Sequence, residues 1–423
     1  MPKKKTALTI EERLQQALVP AEEQPYEVPE NWVWVRLGAI AEIVTGGTPS
    51  KKHPEYYGGN FPFYKPSDLD QGRLTYDASE YLSEEGKNVS RIIPKNSTAV
   101  CCIGSIGKCG YLMCEGTTNQ QINSAIPKIN SLCLYYYLCT ENFVQDLLSM
   151  ASATTIAIVN KSKMESCAFP LPPLSEQQRI VERIEELLAK LDEAKERLQE
   201  VADSFAVRKA AILHNAFTGE LTKQWRWENG VSDESWEEKK LSEITENQDS
   251  KRIPLSKSQR DNMNRIYDYY GASGIIDKVD EYIFEGKKLL IGEDGANLVT
   301  RSKDIAFIAD GKYWVNNHAH ILDVKDTVLL MYLCNYINNM DLIPYVTGSA
   351  QPKLTQAKMN NIKIFLPTLP EQHEIVRLID DLLARERAAQ QAAEQALASI
   401  DLMKKSILAR AFRGELGTNK ASE

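Results

Sequence analysis

The sequence predicts an α+β chain in which two mixed α/β domains are separated by two long antiparallel coiled-coil helices, arranged as a pseudo-twofold internal repeat. Three observations predict it. A set of motifs occurs twice, two long Pro- and Gly-free stretches carry apolar seams, and short β-rich runs end in glycine turns.

The repeat is read directly from the letters. PLPPLSEQQRIVERIEELLAK (170–190) is echoed by FLPTLPEQHEIVRLIDDLLAR (365–385), and RKAAILHNAFTGEL (208–221) by MKKSILARAFRGEL (403–416). Met164 and Met359, and likewise Leu221 and Leu416, are 195 residues apart, with no gap needed between those anchors. A fainter echo opens each half: Trp32, Arg36-Leu37 and Ile40 correspond to Trp236, Lys240-Leu241 and Ile244 at an offset of 204. The frame is duplicated, while the material within it has diverged in length and sequence.

The elements follow in order. An N-terminal segment (1–30) precedes a first domain (31–173), a first long helix (174–217), a polar linker (218–235), a second domain (236–368), a second long helix (369–412) and a tail (413–423). The basic start, MPKKK, runs into acidic helix-like sequence and lacks the apolar core and cleavage site of a signal peptide. No run approaches the ~18 apolar residues of a membrane span, so the expectation is a cytoplasmic protein without a membrane partner. Within the domains, STAVCCIG (97–104), KKLLIGEDG (287–295) and KDIAFIADG (303–311) read as strands, and 132–150 and 327–340 as helices whose aromatic stripes belong to the core. Tyr137-Leu138-Cys139 matches Tyr332-Leu333-Cys334, again 195 residues on.

Residues from about 176 to 215 and from about 371 to 411 each read as one helix, bounded by Pro172-Pro173 and Pro367 before and by Gly219 and Gly414 after. Thr368 with Glu371 is a candidate capping box. The first seam runs Ile180, Ile184, Leu187, Leu191, Ala194, Leu198, Val201, Phe205, Arg208, Ile212; the second runs Ile375, Ile379, Leu382, Glu386, Ala389, Ala393, Ala396, Ile400, Met403, Ile407. One charge interrupts each. An antiparallel pairing with Arg208 on Glu386 sets large residues against small and matches the charges. A parallel one would bury each charge against an apolar residue, at a cost of several kcal/mol. Helices of this size are roughly 60 Å long.

Seven of the eight cysteines precede residue 170, without the paired spacing of a zinc site. They read as reduced, mostly buried thiols. Two domains spaced by rigid helices imply a ligand with two spaced sites, and duplex DNA, with half-sites about 34 Å apart per helical turn, is the candidate. The formal net charge is −8 and no segment is basic. Phosphate neutralisation supplies much of DNA affinity, so the chain alone should bind DNA weakly unless a second subunit adds positive surface. The local clusters Lys51-Lys52, Lys161 with Lys163, Lys251-Arg252 and Lys287-Lys288 are either reading surfaces or ordinary solvated faces.

The repeated L-P-x-L-x-E-Q element, the long helix and A-F-x-G-E-L together resemble the specificity (S) subunits of type I restriction–modification enzymes. Trp32, Arg36-Leu37-Gly38 and Tyr64-Lys65-Pro66-Ser67-Asp68-Leu69 also look like that family's domain start and early turn. The resemblance covers nearly the whole chain. It implies that each half holds a target recognition domain for one half of a split double-stranded DNA target, and that the helices set the gap and dock two methyltransferase (M) subunits. It further implies no catalysis and no cofactor in this chain. S-adenosylmethionine would sit in the M subunits, which methylate adenine, and ATP and Mg in restriction (R) subunits.

Polar loop residues are then the candidate DNA contacts. They are Thr48, Ser50, Lys51, Lys65, Ser105, Lys108, Asn119, Gln120, Gln121 and Asn123 in the first domain, and Lys251, Arg252, Ser273, Asn297, Asn316, Asn317 and His318 in the second. Asn and Gln suit the adenine edge, Lys and Arg guanine or phosphate. A phosphate-loop reading of Gly104-Ser105-Ile106-Gly107-Lys108 fails, because Cys102 and Cys109 stand where the pattern needs Gly and Ser or Thr. His318-Ala319-His320 lacks a third metal ligand, and no methyltransferase or nuclease signature is present. The competing reading is a stand-alone sequence-specific repressor or architectural protein on the same frame. A third is an enzyme of unrecognised fold.

Overall fold

In the computed structural model of the chain, residues 10–71, 74–152, 157–232, 234–348 and 350–420 are described; the basic start lies outside them. Two units form: Met1–Leu198 with Gln395–Glu423, and Gln199–Glu394. Both long helices therefore contribute to each unit.

An antiparallel pair of strands closes each domain on itself. In the first unit, Val33–Arg36 pairs antiparallel with Ala168–Leu171. In the second, Glu237–Lys240 pairs antiparallel with Lys363–Leu366. Between these clasps the first domain holds a five-stranded sheet in the order Ala41–Thr45, Ile122–Pro127, Thr98–Cys101, Cys109–Leu112, Leu74–Thr75. The second holds Glu246–Asn247, Ala319–Asp323, Lys288–Gly292, Ala306–Ala309, the same order without the fifth strand. Each domain has a further small sheet with one parallel pairing: Phe63-Tyr64 beside Thr117-Thr118, and Asp268–Tyr270 beside Tyr313–Val315. The helices Ser131–Leu138 and Thr327–Asn339 start where Asn130 and Asp326 cap their first amides. Their Tyr137 and Tyr332 hydroxyls donate to Ala168 O (2.8 Å) and Phe365 O (2.7 Å), tying each helix to the closing strand.

The expected antiparallel pairing is present. In the second unit Arg208 Nε donates to Glu386 Oε2 at 2.5 Å. In the first, Lys404 Nζ reaches Asp192 Oδ1 at 2.5 Å, close to the same register. The second helix is continuous over Leu369–Ala411. The first runs as Leu174–Asp203 and Phe205–Phe217 about the single residue Ser204, whose N–H still donates to Glu200 O at 3.0 Å, so the long helix expected is present with a local irregularity. The Ser204 hydroxyl and Arg208 Nη2 both donate to Val201 O (3.0 and 3.2 Å), so side chains take a carbonyl at the joint. Ile180, Ile184, Ile375, Ile379, Ala393 and Ile400 are buried as the seam requires. Val201, Ala389 and Met403 are exposed, and Leu383 is buried beside the half-buried Leu382. A straight helix turns every 3.6 residues, so a strict 3.5-residue seam drifts off the contact.

Each core is finished by the start of one helix and the end of the other. Ile180, Ile184, Ala411 and Phe412 enter the first; Ile375, Ile379, Leu213 and Ala216 enter the second. The Phe of each A-F-x-G-E-L motif meets aromatic rings: Phe412 lies 5.1 Å from Tyr137, and Phe217 lies 5.1 Å from Tyr336, between ring centroids. Gly219 and Gly414 then end the helices with φ of 82° and 76°, the left-handed turn that glycine adopts without a Cβ penalty.

The repeated motifs converge on one buried carboxylate in each unit. Glu176 accepts from Trp32 Nε1 (2.8 Å), Asn419 Nδ2 (3.0 Å) and Thr418 Oγ1 (3.4 Å). Glu371 accepts from Trp236 Nε1 (3.1 Å), Thr222 Oγ1 (2.7 Å) and Arg226 Nη1 (2.7 Å). Domain start, E-Q element and the sequence after A-F-x-G-E-L meet at that point, a physical reason for their joint repetition. Glu371 therefore serves this cluster and not the capping box expected with Thr368. Arg226 belongs to a helix, Lys223–Asn229, within the polar stretch 218–235.

All eight cysteines are free; Cys101, Cys102, Cys133 and Cys167 are buried and Cys114 is exposed. Among the described residues no helix is long and apolar enough to cross a membrane.

Candidate nucleic-acid interface

Most of the candidate residues lie on loops at strand ends; Asn123 lies within the strand Ile122–Pro127, Asn297 in the short helix Asn297–Thr300 and Lys251 in the single helical turn Asp249–Lys251. In the first domain, Thr117-Thr118 leads into Asn119, whose N–H donates to Tyr64 O at 3.1 Å. Asn119 Oδ1 accepts from Gln121 N–H (3.0 Å) and its Nδ2 donates to Gln121 Oε1 (3.0 Å). This tight turn leaves Gln120 exposed. The loop after Ala41–Thr45 presses against it: a Cβ on Gly46 would stand 2.1 Å from Asn119 O, so only glycine fits there. Thr48, on that loop, donates its hydroxyl to Gln120 Oε1. Ser50 and Lys51 are exposed beyond it, and Ser105 is exposed in the turn before Cys109–Leu112.

Other candidates are held by neighbours. Lys65 pairs with Glu80 (2.8 Å) and Lys108 with Asp70 (2.5 Å). Asn123 is buried, accepting from Thr45 Oγ1 (2.7 Å) and donating to Val159 O (3.4 Å).

In the second domain Asn316 repeats the turn. Its N–H donates to Tyr270 O (3.1 Å), its Oδ1 accepts from His318 N–H (2.8 Å), and Asn317 stands exposed. His318 Nδ1 meets Asp294 Oδ2 at 2.8 Å. Ser273 is exposed at a hairpin end. Lys251 Nζ donates to Gln248 Oε1 (3.3 Å). Asn297 closes its own loop, accepting from Lys303 N–H and Ser302 Oγ, both at 3.0 Å. Arg252 is largely buried, donating through Nη1 to Glu293 Oε2 and to Ala319 O, both at 2.7 Å. Its donors serve the fold beneath the loops.

Sequence reasoning missed the layer under these loops. In the second domain His320 is buried between Asp249 Oδ2 (2.5 Å, to Nδ1) and Leu354 O (2.7 Å, to Nε2). The ring thus bridges a carboxylate and a main-chain carbonyl. Burial pushes the Asp249 carboxyl up, but the His320 hydrogen bond and charge, with the Ile321 amide, hold it below its ordinary value. Glu293 is likewise held low against burial by Arg252, His320 and Lys353. The first domain has Thr45, Asn123 and Val159 O in the corresponding places. The same frame is thus tied by neutral groups in one domain and by ionic groups in the other. Thr and Asp, like Asn and His, share no letter that would mark the two places as equivalent. The only trace was position, since Thr45 and Asp249 share the 204-residue offset of the two Trp anchors.

Comparison with known proteins shows the family and the fold. Residues 29–203 and 233–396 match the family described as Type I restriction modification DNA specificity domain. The chain is 35% identical over 159 residues to the EcoR124I/EcoR124II type I restriction enzyme specificity subunit of Escherichia coli, covering 35% of this chain and 39% of that protein. It is 23% identical over 422 residues to the StySPI specificity subunit of Salmonella potsdam, covering 92% of this chain and 90% of that one. The crystal structure of the HsdS subunit from Thermoanaerobacter tengcongensis shares the fold, with a TM-score of 0.68 at 19% identity over 93% of this chain and 99% of that chain.

Proposed function

The chain belongs to the type I restriction–modification DNA specificity family, and from that premise we propose that each recognition domain reads one half of a split double-stranded DNA target. It is a DNA-recognising, non-catalytic chain. The long helices set the distance between half-sites and dock two M subunits, which hold S-adenosylmethionine and methylate adenine; R subunits add ATP- and Mg-dependent translocation and cleavage. The chain itself carries no cofactor, and the assembly is cytoplasmic.

One observation carries this reading. Two domains of unlike loop sequence are built on one strand order and one set of helix anchors. Such a construction varies what is read while keeping how it is held. The net charge of −8 supports dependence on partners for phosphate contact. Of the seventeen candidate contacts, the exposed polar group at the turns (Thr48, Ser50, Lys51, Ser105, Gln120, Ser273, Asn317, His318) is the reading surface. Lys251 is exposed beside it, and Lys65, Lys108, Asn119, Gln121, Asn123, Arg252, Asn297 and Asn316 support it.

Inserting whole helical turns into both long helices tests the spacing role. The gap between half-sites, read from methylated sites in the host genome, should lengthen while the half-sites stay the same. Altered half-sites would refute it. Tight footprinting of DNA by the isolated chain, without M, would favour the stand-alone repressor.

A further inference from the structure

The two recognition domains differ in sequence between their anchors, yet they build one turn identically. Asn119 and Asn316 are both buried, both donate through the main chain to a tyrosine carbonyl at 3.1 Å, and both accept from the N–H two residues on. The third residue of each turn is then pinned through its carbonyl, Gln121 O by Cys102 N–H (2.7 Å) and His318 O by Glu293 N–H (2.9 Å). The parallel pairings Tyr64 with Thr118 and Tyr270 with Val315 place both turns at the same end of the strand frame.

A buried asparagine is what such a turn needs, because its short side chain closes the loop on its own backbone. The fold requires nothing of the residue at the crest. Both crests nevertheless carry an exposed carboxamide, Gln120 and Asn317. A carboxamide offers a donor and an acceptor in one plane, the complement of adenine N7 and N6 in the major groove. The Thr48 hydroxyl meets Gln120 Oε1, so the crest is tied to the neighbouring loop while its side chain stays exposed.

Resting on the reading of the chain as a two-domain DNA reader, we propose that Gln120 and Asn317 are the corresponding base-reading residues of the two domains. Each takes the major-groove edge of an adenine at the corresponding position of its half-site, and Asn119 and Asn316 are positioning residues that present them.

The test uses the full chain assembled with its M subunits and a base-by-base readout of methylated sites across a host genome. Gln120→Ala should relax one A·T position of the first half-site, narrowing its preference on the order of ten- to a hundredfold, with the second half-site unchanged. Asn317→Ala should do the reverse. Gln120→Glu, which can only accept, should shift that position toward cytosine, whose N4 donates; a merely structural role would not move it. Both crest positions are exposed, so thermal unfolding should match the parent. The proposal is overturned if neither alanine variant changes the recognised sequence, if methylation falls evenly at all positions, or if the relaxed position is a G·C pair. Exchanging a whole recognition domain separates the two levels. If exchange alters one half-site while Gln120→Ala alters none, only the crest assignment fails. If exchange alters neither, the two-domain reading fails and the crest assignment with it.

Discussion

Glu371→Ala removes the acceptor on which three parts of the second unit converge. The carboxylate is fully buried and its Arg226 partner nearly so, with side-chain exposures of 0% and 8%. The variant strips Thr222 and Arg226 of Oε1 and Trp236 of Oε2, and leaves a guanidinium in a site built around that carboxylate. Removing one partner of a buried ion pair costs about 3–5 kcal/mol. For a unit of this size each kcal/mol lowers the transition by about 2–4 °C, so its unfolding should fall by roughly 6–20 °C. Calorimetry of the full chain would resolve this transition from that of the first unit. Hydrogen exchange should localise the loss to Lys223–Asn229 and Glu237–Lys240, the elements tied to the carboxylate. Glu371→Gln keeps one acceptor oxygen and should fall between. The double variant Glu371→Leu with Arg226→Met should recover much of the loss, because an apolar pair replaces a buried ionic one at little cost. A drop below 2 °C for Glu371→Ala, or a double variant worse than the single, would refute the argument that this carboxylate holds the motifs together.

Two further outcomes follow from the charge arrangement. Asp249 and Glu293 are held below their ordinary carboxylate range in the fold. Their stabilisation is therefore complete above the unfolded values of about 4 and is lost as pH falls through the folded ones. The second unit should lose stability steeply in acid below about pH 4, Asp249→Asn should flatten that limb in an acid-unfolding titration, and an unchanged limb would count against the ionic clamp. The Arg208–Glu386 pair is partly open to solvent, at 34% and 24%. Replacing both residues by Met should leave the unfolding free energy within about 1 kcal/mol of the parent, while Glu386→Met alone should lower it more; equal losses would show that the two charges do not act as a pair.

Much of the frame was legible because it is written in periodic and repeated residues. Ile180, Ile184, Ile375 and Ile379 announce their burial by spacing, and Arg208 with Glu386 announces the helix register by being the two charges that need each other. The seam failed where spacing alone cannot decide, at Val201, Ala389 and Met403, because burial there depends on how far a helix has rotated from its contact. The joint at Ser204 was hidden for a similar reason: a serine and an arginine four residues on are ordinary helix residues until both turn back to one carbonyl.

The sequence by itself determined the duplication, the antiparallel helices, the helix ends at Gly219 and Gly414, and the polar turns that hold the candidate readers. Those are local or repeating properties, carried by each residue's own backbone preference and by apolar periodicity. Only the tertiary structure decided that Glu176 and Glu371 gather motifs far apart in the chain, that Arg252 supports the loops from beneath, and that Thr45 with Asn123 stands where Asp249 with His320 stands in the other half. Hydrogen-bond geometry and desolvation act between residues that only folding brings together, so the same place can be filled by a neutral pair or an ionic one with nothing in the letters to mark them as equivalent.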